Sequence, residues 1–196
     1  MMNSNEQIIE KFQHIYEVVS SKSFQKMDAL GGEIPFWIAS YEISMNSLVE
    51  IEIKNLTIRL LNEDVNSLVV NLFDLSCDII NKNIGLEKMF EVEVKKDKEK
   101  FKKALQSTLN IHDRLIPEII NRLNTENPKI LFITGVGAVF PFIRSHTILN
   151  NLQSAVKNIP TLMFFPGVYS GRALRLFGTI EDDNYYRAFN IDTYKL

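Results

Sequence analysis

The stretch that decides the fold is Lys129-Ile-Leu-Phe-Ile-Thr-Gly-Val-Gly-Ala138. Its first part, Ile130–Thr134, is an unbroken apolar run that ends in a threonine. Because its residues do not alternate between polar and apolar, we expect a strand that is covered on both faces, as in a parallel sheet. Glycines at 135 and 137 then indicate a tight turn, after which a helix is predicted. The stretch therefore predicts an α/β fold.

Similar patterns recur on both sides of this stretch. Thr161–Phe165 is a second apolar run, and Ile34–Ala39 and Asn66–Phe73 are two further candidate strands. Pro166–Gly171 is predicted to be a loop. Apolar residues that recur every three or four positions indicate helices. The predicted helices span residues 5–20, 47–62, 75–82, 85–93, 97–109, 111–124 and 140–158. Short strands or turns near the sheet edge are predicted at 174–178 and 187–191.

This alternation of strands and helices predicts one domain spanning residues 1–196. We expect a mostly parallel β-sheet flanked by helices, with a helical insertion at roughly 82–125. The layering resembles that of Rossmann and P-loop folds, but the Walker motif is missing. No internal repeat or low-complexity linker divides the chain.

One segment fits two patterns. Ile51 and Ile58 belong to a partial alternation that suggests a strand, whereas other apolar residues nearby recur at helical spacing. Ser47-x-x-Glu50 has the form of a capping box at a helix start. These signals together favour a helix over 47–62.

Composition excludes several classes of protein. The chain has 196 residues and a net charge of −2, so no overall basic excess predicts non-specific binding to nucleic acid. The lysine-rich run 95–103 is interpreted as the solvated face of a helix, with contact to nucleic acid or an acidic partner as the alternative. Cys77, the single cysteine, is predicted to be a small buried residue. No apolar run approaches the roughly 18 residues of a membrane span and the polar N-terminus lacks a signal core, so a cytoplasmic location is predicted.

The glycine turn is the first candidate binding site. Thr134, Gly135, Val136 and Gly137 follow a predicted strand, where backbone amides can approach an anion. However, no lysine completes a Walker loop, and Phe140 stands where a dinucleotide fingerprint needs a third glycine. A structural turn is the favoured interpretation and an anion site is the alternative. Either way, ligands of open α/β sheets usually bind at the carboxyl ends of the strands.

The remaining candidates suit contact with other proteins better than catalysis. The histidines and acids have no metal-binding spacing, and no carboxylate near His146 in the sequence would orient it as a base. We therefore predict no catalytic residue, no metal and no cofactor. Arginine and tyrosine are enriched at interface hot spots, although local pairing of arginines with acids is the alternative for the C-terminal segment. The candidate partner-contact residues are Arg144, His146, Asn150, Arg172, Arg175, Tyr185, Tyr186 and Arg187.

The order of several segments resembles a known family, the BrxB family of BREX bacteriophage-defence systems. Nearly the whole chain fits the resemblance, and its C-terminal half carries the most specific part. The matching segments there are Leu131–His146, Leu149–Leu152, Phe164–Gly167, Leu174–Gly178 and Asp183–Phe189.

The resemblance implies a cytoplasmic, non-enzymatic core subunit that acts by protein–protein assembly in host DNA methylation and phage restriction. It names PglZ, a protein of the alkaline-phosphatase superfamily, as the leading partner, and the PglX methyltransferase and the BrxC ATPase as further ones. It supplies no catalytic residues. Two alternatives stay open: a degenerate nucleotide-binding domain, and an accessory protein that binds nucleic acid.

Overall fold

The computed structural model describes residues 3–27, 35–182 and 188–196. Their helices and strands alternate along the chain. The helices are α1 (Ser4–Ser20), α2 (Lys22–Lys26), α3 (Asn46–Leu61), α4 (Leu72–Asn83), α5 (Leu86–Lys95), α6 (Lys98–Leu109), α7 (Ile116–Glu126) and α8 (Ser145–Ala155). The strands are β1 (Phe36–Tyr41), β2 (Ser67–Asn71), β3 (Ile130–Thr134), β4 (Thr161–Tyr169), β5 (Leu174–Leu176), β6 (Ile180–Asp182) and β7 (Phe189–Asn190).

The strands form a mostly parallel sheet in the order β2-β3-β4-β1-β7. Strands β5 and β6 extend β4 as an antiparallel meander. In the register of β2 and β3, Asn71 lies opposite Thr134, so the two strands end side by side. The predicted α/β fold with a mostly parallel sheet is confirmed.

Helices cover both faces of the sheet. Helices α1 and α3 pack on one face, and α4, α6, α7 and α8 pack on the other. Along β3, Phe132 belongs to the first core and Leu131 and Ile133 belong to the second, and all three are fully buried. This double coverage explains why the decisive stretch has no polar alternation.

Helix α3 occupies the segment that fitted two patterns. Its buried side carries Val49 and Ile53, among others, while Ile51 and Ile58 point away from the core and are exposed. The predicted capping box was wrong, because no side chain caps the first turn of α3. The Glu50 carboxylate instead accepts a hydrogen bond from a side chain within the helix, the Asn46 amide, at 2.9 Å.

Two predicted boundaries after β3 and β4 were also wrong. The helix expected over 140–158 begins only at Ser145, and residues 136–142 form turns instead. Pro141 disfavours a helical backbone at Phe140, where the predicted helix began. The expected loop at Pro166–Gly171 instead continues β4 as far as Tyr169. Its backbone pairs there with β5, an antiparallel interaction between segments that sequence patterns did not reveal.

The predicted helical insertion corresponds to α5, α6 and α7, with a π-helical turn at Ile111–Leu115 before α7. Side chains of its lysine-rich part form ion pairs one helical turn apart. Lys95 pairs with Glu91 at 3.0 Å, and Lys102 pairs with Glu99 at 2.8 Å. These exposed pairs fit the interpretation of a solvated helix face. Within the described residues, none of the helices combines the length and apolar character that crossing a membrane requires.

Candidate functional site

A cleft of about 970 Å³ opens at the carboxyl edge of the parallel sheet. Tyr41, Asn71 and Thr134, the last residues of β1, β2 and β3, line it together with the N-terminal half of α3 and the start of α4. The candidate turn Thr134–Gly137 forms part of its wall. This is the edge at which open parallel sheets usually bind ligands.

The two glycines of the turn occupy positions where a larger side chain would clash with its neighbours. Gly135 has a φ of +71°, and a Cβ atom there would lie 2.2 Å from Oδ1 of Asn71. That oxygen accepts hydrogen bonds from the backbone amides of Phe73 at 2.9 Å and Asp74 at 3.4 Å, and so caps α4. At Gly137, a Cβ atom would lie 2.7 Å from the Phe177 ring. These contacts support the structural interpretation of the turn.

The electrostatic setting of the turn does not favour an anion. The expected helix start at residue 140 was wrong, since α8 begins at Ser145. Helix α4 does begin at this edge, but the side chain of Asn71 occupies its first amides and Asp74 adds a negative charge. The anion-binding alternative at residues 134–137 therefore has no helix N-terminus with free amides beside it.

Arg122 and Lys54 are the basic side chains of the cleft. The guanidinium of Arg122 lies 2.9 Å from the Asp78 carboxylate and 3.5 Å from that of Glu118. Two acids therefore already neutralise Arg122. Lys54 is exposed and has no ion pair among the described residues.

One wall of the cleft carries a chain of hydrogen bonds. The Tyr41 hydroxyl donates to Oδ1 of Asn46 at 2.8 Å, and the amide of Asn46 donates to Glu50. Burial, and secondarily the Glu50 carboxylate, raise the pKa of Tyr41. The phenol therefore stays protonated near neutral pH and acts as a hydrogen-bond donor. In the ranges that the structure describes, no three histidine, cysteine or acidic side chains group into a metal site.

Two of the candidate partner-contact residues, Arg144 and Arg175, lie near the same acid, Glu181. Arg144 is exposed, and its guanidinium carbon lies 6.0 Å from the centre of the Phe140 ring. Arg144 and Glu181 line a second, much smaller cleft, and Glu181 forms an ion pair with Arg175. This ion pair is the local arginine–acid pairing considered as the alternative for the C-terminal segment.

The other candidates lie apart from this pair. Asn150 on α8 is exposed, whereas His146 is half-buried and has an interaction within the protein. Arg172 is exposed in the turn between β4 and β5. Tyr185, Tyr186 and Arg187 lie outside the described residues.

Cys77 lies on α4 and is partly exposed, so the prediction of a buried residue was wrong. The helical spacing of α4 turns the neighbouring Ser76 toward the core instead of Cys77. Burial raises the pKa of the Cys77 thiol, and the carboxylates of Asp74 and Asp78 raise it further. A negative environment disfavours the thiolate, which is the reactive form.

We expect Cys77 to react with iodoacetamide at pH 8 more slowly than a free cysteine, because its raised pKa lowers the thiolate fraction. Asp74→Asn removes one of the nearby charges and should accelerate the reaction. Glu10→Gln, an exposed change on α1, serves as the control and should leave the rate unchanged. Mass spectrometry over time gives each rate, and equal rates for Asp74→Asn and the unsubstituted protein would contradict this account.

Sequence reasoning missed one surface, which we call the outer α3 surface: Ile51, Ile58 and Leu61. These side chains are 54%, 60% and 64% exposed. The sequence contained a signal for this surface, because these three apolar residues do not fall on the face of the helix that the other apolar residues form. It was interpreted there only as weak evidence for a strand.

Comparison with known proteins identifies the family. Residues 68–191 match the family model described as BREX protein BrxB. A BREX protein BrxB of Bacillus cereus (strain H3081.97) is 42% identical over 191 residues, which cover 94% of this chain and 97% of the relative. One of Escherichia coli O9:H4 (strain HS) is 30% identical over 181 residues, covering 92% and 90%. No solved structure matches the chain. The chain therefore belongs to the BrxB family of BREX proteins, as its resemblance in sequence predicted.

Proposed function

We propose that this protein is a non-enzymatic assembly subunit that binds PglZ through the outer α3 surface. Membership of the BrxB family gives the protein a role in BREX phage defence. The choice of partner rests on the family resemblance, and the choice of surface rests on the exposure of Ile51, Ile58 and Leu61. We place the assembly in the cytoplasm, where host DNA is methylated.

The three side chains form one surface because of their spacing. Ile51 and Ile58 are seven positions apart and Ile58 and Leu61 are three apart, so all lie on one side of the helix. Single exposed apolar residues are normal, but a group of them marks a site of protein contact. The opposite side of α3 already packs on the sheet. A partner that docks on the exposed side of α3 would cover these three apolar side chains.

Polar side chains border this surface. Lys54 and Asn55 are exposed between Ile51 and Ile58. Arg59 lies over the Tyr16 ring, with its guanidinium carbon 3.6 Å from the ring centre, and donates to the Gln13 side chain at 3.0 Å. An apolar centre with a polar rim is the usual anatomy of a protein interface.

A second partner contact is proposed on the opposite face of the sheet. Arg144, His146 and Asn150 lie at or on α8, which belongs to the other core from α3. Arg172 and Arg175 follow β4 on the meander, and Tyr185, Tyr186 and Arg187 complete the proposed contact set. Two surfaces on opposite faces suit a subunit that bridges partners such as PglX or BrxC to PglZ.

Ile58→Asp should weaken the association with PglZ at least tenfold, because it places a charge in the centre of an interface that must lose water. Folding should be preserved, since a change at a 60% exposed position usually alters the free energy of unfolding by less than about 0.5 kcal/mol. Co-purification of tagged PglZ from a reconstituted BREX system, followed by titration, measures the effect.

Val94→Asp is the matched control, because Val94 is an exposed apolar residue on another helix, α5. It should bind PglZ as the unsubstituted protein does. Equal binding by Ile58→Asp would remove the outer α3 surface from the proposal. A failure of the unsubstituted protein to associate with any BREX protein would remove the assembly role itself.

A further inference from the structure

The cleft at the carboxyl edge of the sheet lies outside the surfaces that are proposed above for protein assembly. Its volume of about 970 Å³ is at the upper end of the range of small-molecule sites. Side chains of α3, α4 and the sheet line the cleft, and most of this lining is apolar. Phe164 and Pro166 are buried at its base, while Val69 and Phe73 remain 36% and 45% exposed.

These exposed apolar side chains face the cleft instead of a packed helix. Val69 lies on β2 at the edge of the sheet, paired on the same face with Phe132, yet α3 does not cover it as it covers Phe132. Phe73, in the first turn of α4, lines the cleft with it. A flat apolar molecule in the cleft would bury both side chains, and aromatic rings favour stacked or edge-on contact with Phe73.

Polar groups around this floor have unused hydrogen-bonding capacity. The Asn71 carbonyl oxygen caps α4, but its amide NH₂ has no partner among the described residues. The Thr134 hydroxyl and the Lys54 ammonium also lack partners there, and so does the carboxylate of Asp74. The cleft therefore offers donors and an acceptor next to an apolar surface, which is the pattern of a specific ligand site.

The charges of the cleft select against a phosphate. Glu50 and Asp74 oppose Lys54 and Arg122, and Arg122 is already paired with Asp78 and Glu118. The first amides of α4, which would otherwise hold an anion, are occupied by Asn71. An uncharged ligand meets the polar groups without an unfavourable net field.

We propose that this cleft binds an uncharged nucleoside, with the base against Val69 and Phe73 and its edge hydrogen-bonded to Asn71, Thr134 and Asp74. A nucleobase combines an aromatic face with donors and acceptors along one edge, and its sugar hydroxyls suit the polar rim. None of these contact residues belongs to the outer α3 surface, so either proposal can fail without the other.

The test uses the full chain with adenosine, guanosine, cytidine and thymidine as probes, each compared with its triphosphate. One nucleoside should raise Tm by roughly 5–10 °C at a concentration of 100 times its Kd, and its triphosphate should bind at least tenfold more weakly. Equilibrium dialysis measures the affinity directly. No binding by any of the four nucleosides overturns the proposal, and a triphosphate that binds as tightly overturns the assignment of an uncharged ligand.

Two variants place the ligand in the cleft. Val69→Trp fills the floor and should abolish binding, whereas Val168→Trp makes the same change at an exposed strand position outside the cleft and should preserve it. Thr134→Val keeps the side-chain shape, removes the hydroxyl and should weaken binding at least fivefold. Unchanged binding by both Val69→Trp and Thr134→Val would overturn the site even if a nucleoside binds elsewhere.

Discussion

Gly135→Ala should lower the free energy of unfolding by roughly 3 kcal/mol. The new Cβ atom would lie 2.2 Å from Oδ1 of Asn71 and 3.2 Å from the backbone nitrogen of Leu72. Alanine would therefore displace the side chain that caps α4 and would also adopt a left-handed backbone at a φ of +71°. The cap and the backbone strain each contribute about 1–2 kcal/mol. Urea denaturation followed by circular dichroism measures the change.

Gly178→Ala separates these two causes. Gly178 has a φ of +73°, almost the same as that of Gly135, but a Cβ atom there would meet nothing within 4 Å. This control should cost only the backbone strain, about 1 kcal/mol. If both substitutions cost the same, the contact with Asn71 contributes nothing and the account of the turn is wrong.

A double-mutant cycle tests the cap directly. Asn71→Ala alone should cost about 1 kcal/mol, because the amides at the start of α4 lose their acceptor. Combined with Gly135→Ala, the loss should fall short of the sum by about 1 kcal/mol or more, since no cap remains to be displaced. Strict additivity would show that the two residues do not act on each other.

This interaction illustrates what the sequence could and could not predict. A structural interpretation of the turn was favoured because no lysine or third glycine accompanied its glycines, and the close contacts at Gly135 and Gly137 support it. Their physical reason lay elsewhere: Asn71 caps a helix from a neighbouring strand, and only the pairing of β2 with β3 brings it beside Gly135. Periodicity and local motifs carry no information about such a contact between distant segments.

Helix α3 shows a second limit of prediction from sequence patterns. Its type was predicted correctly from helical spacing, although Ile51 and Ile58 disturbed the pattern. Periodicity assumes that apolar residues are covered within the chain, so it could not distinguish a strand from a helix with a second apolar side. The extension of β4 was missed because the proline and glycines of Pro166–Gly171 are typical of a loop. The pairing of this segment with β5 depends on a contact between two segments, which a local pattern does not predict.

Trp37→Ala should lower the free energy of unfolding by about 4 kcal/mol, the largest effect that we expect from one side-chain truncation. Trp37 is 2% exposed on β1, in the middle of an aromatic cluster. Its ring centre lies 4.4 Å from that of Phe24, 6.1 Å from that of Phe189 and 6.5 Å from that of Tyr194. The cluster joins α2 and the C-terminal segment to the sheet, so a cavity there would loosen three parts of the fold.

The measurement is urea denaturation monitored by circular dichroism, because the substitution removes the only tryptophan and with it the fluorescence signal. Trp37→Phe retains most of the contacts and should cost about 1–2 kcal/mol, since it leaves a smaller cavity. Phe90→Ala truncates an aromatic ring that is 53% exposed on α5 and should cost less than about 1 kcal/mol. A loss below about 2 kcal/mol for Trp37→Ala would show that Phe24 and Tyr194 close the cavity by repacking.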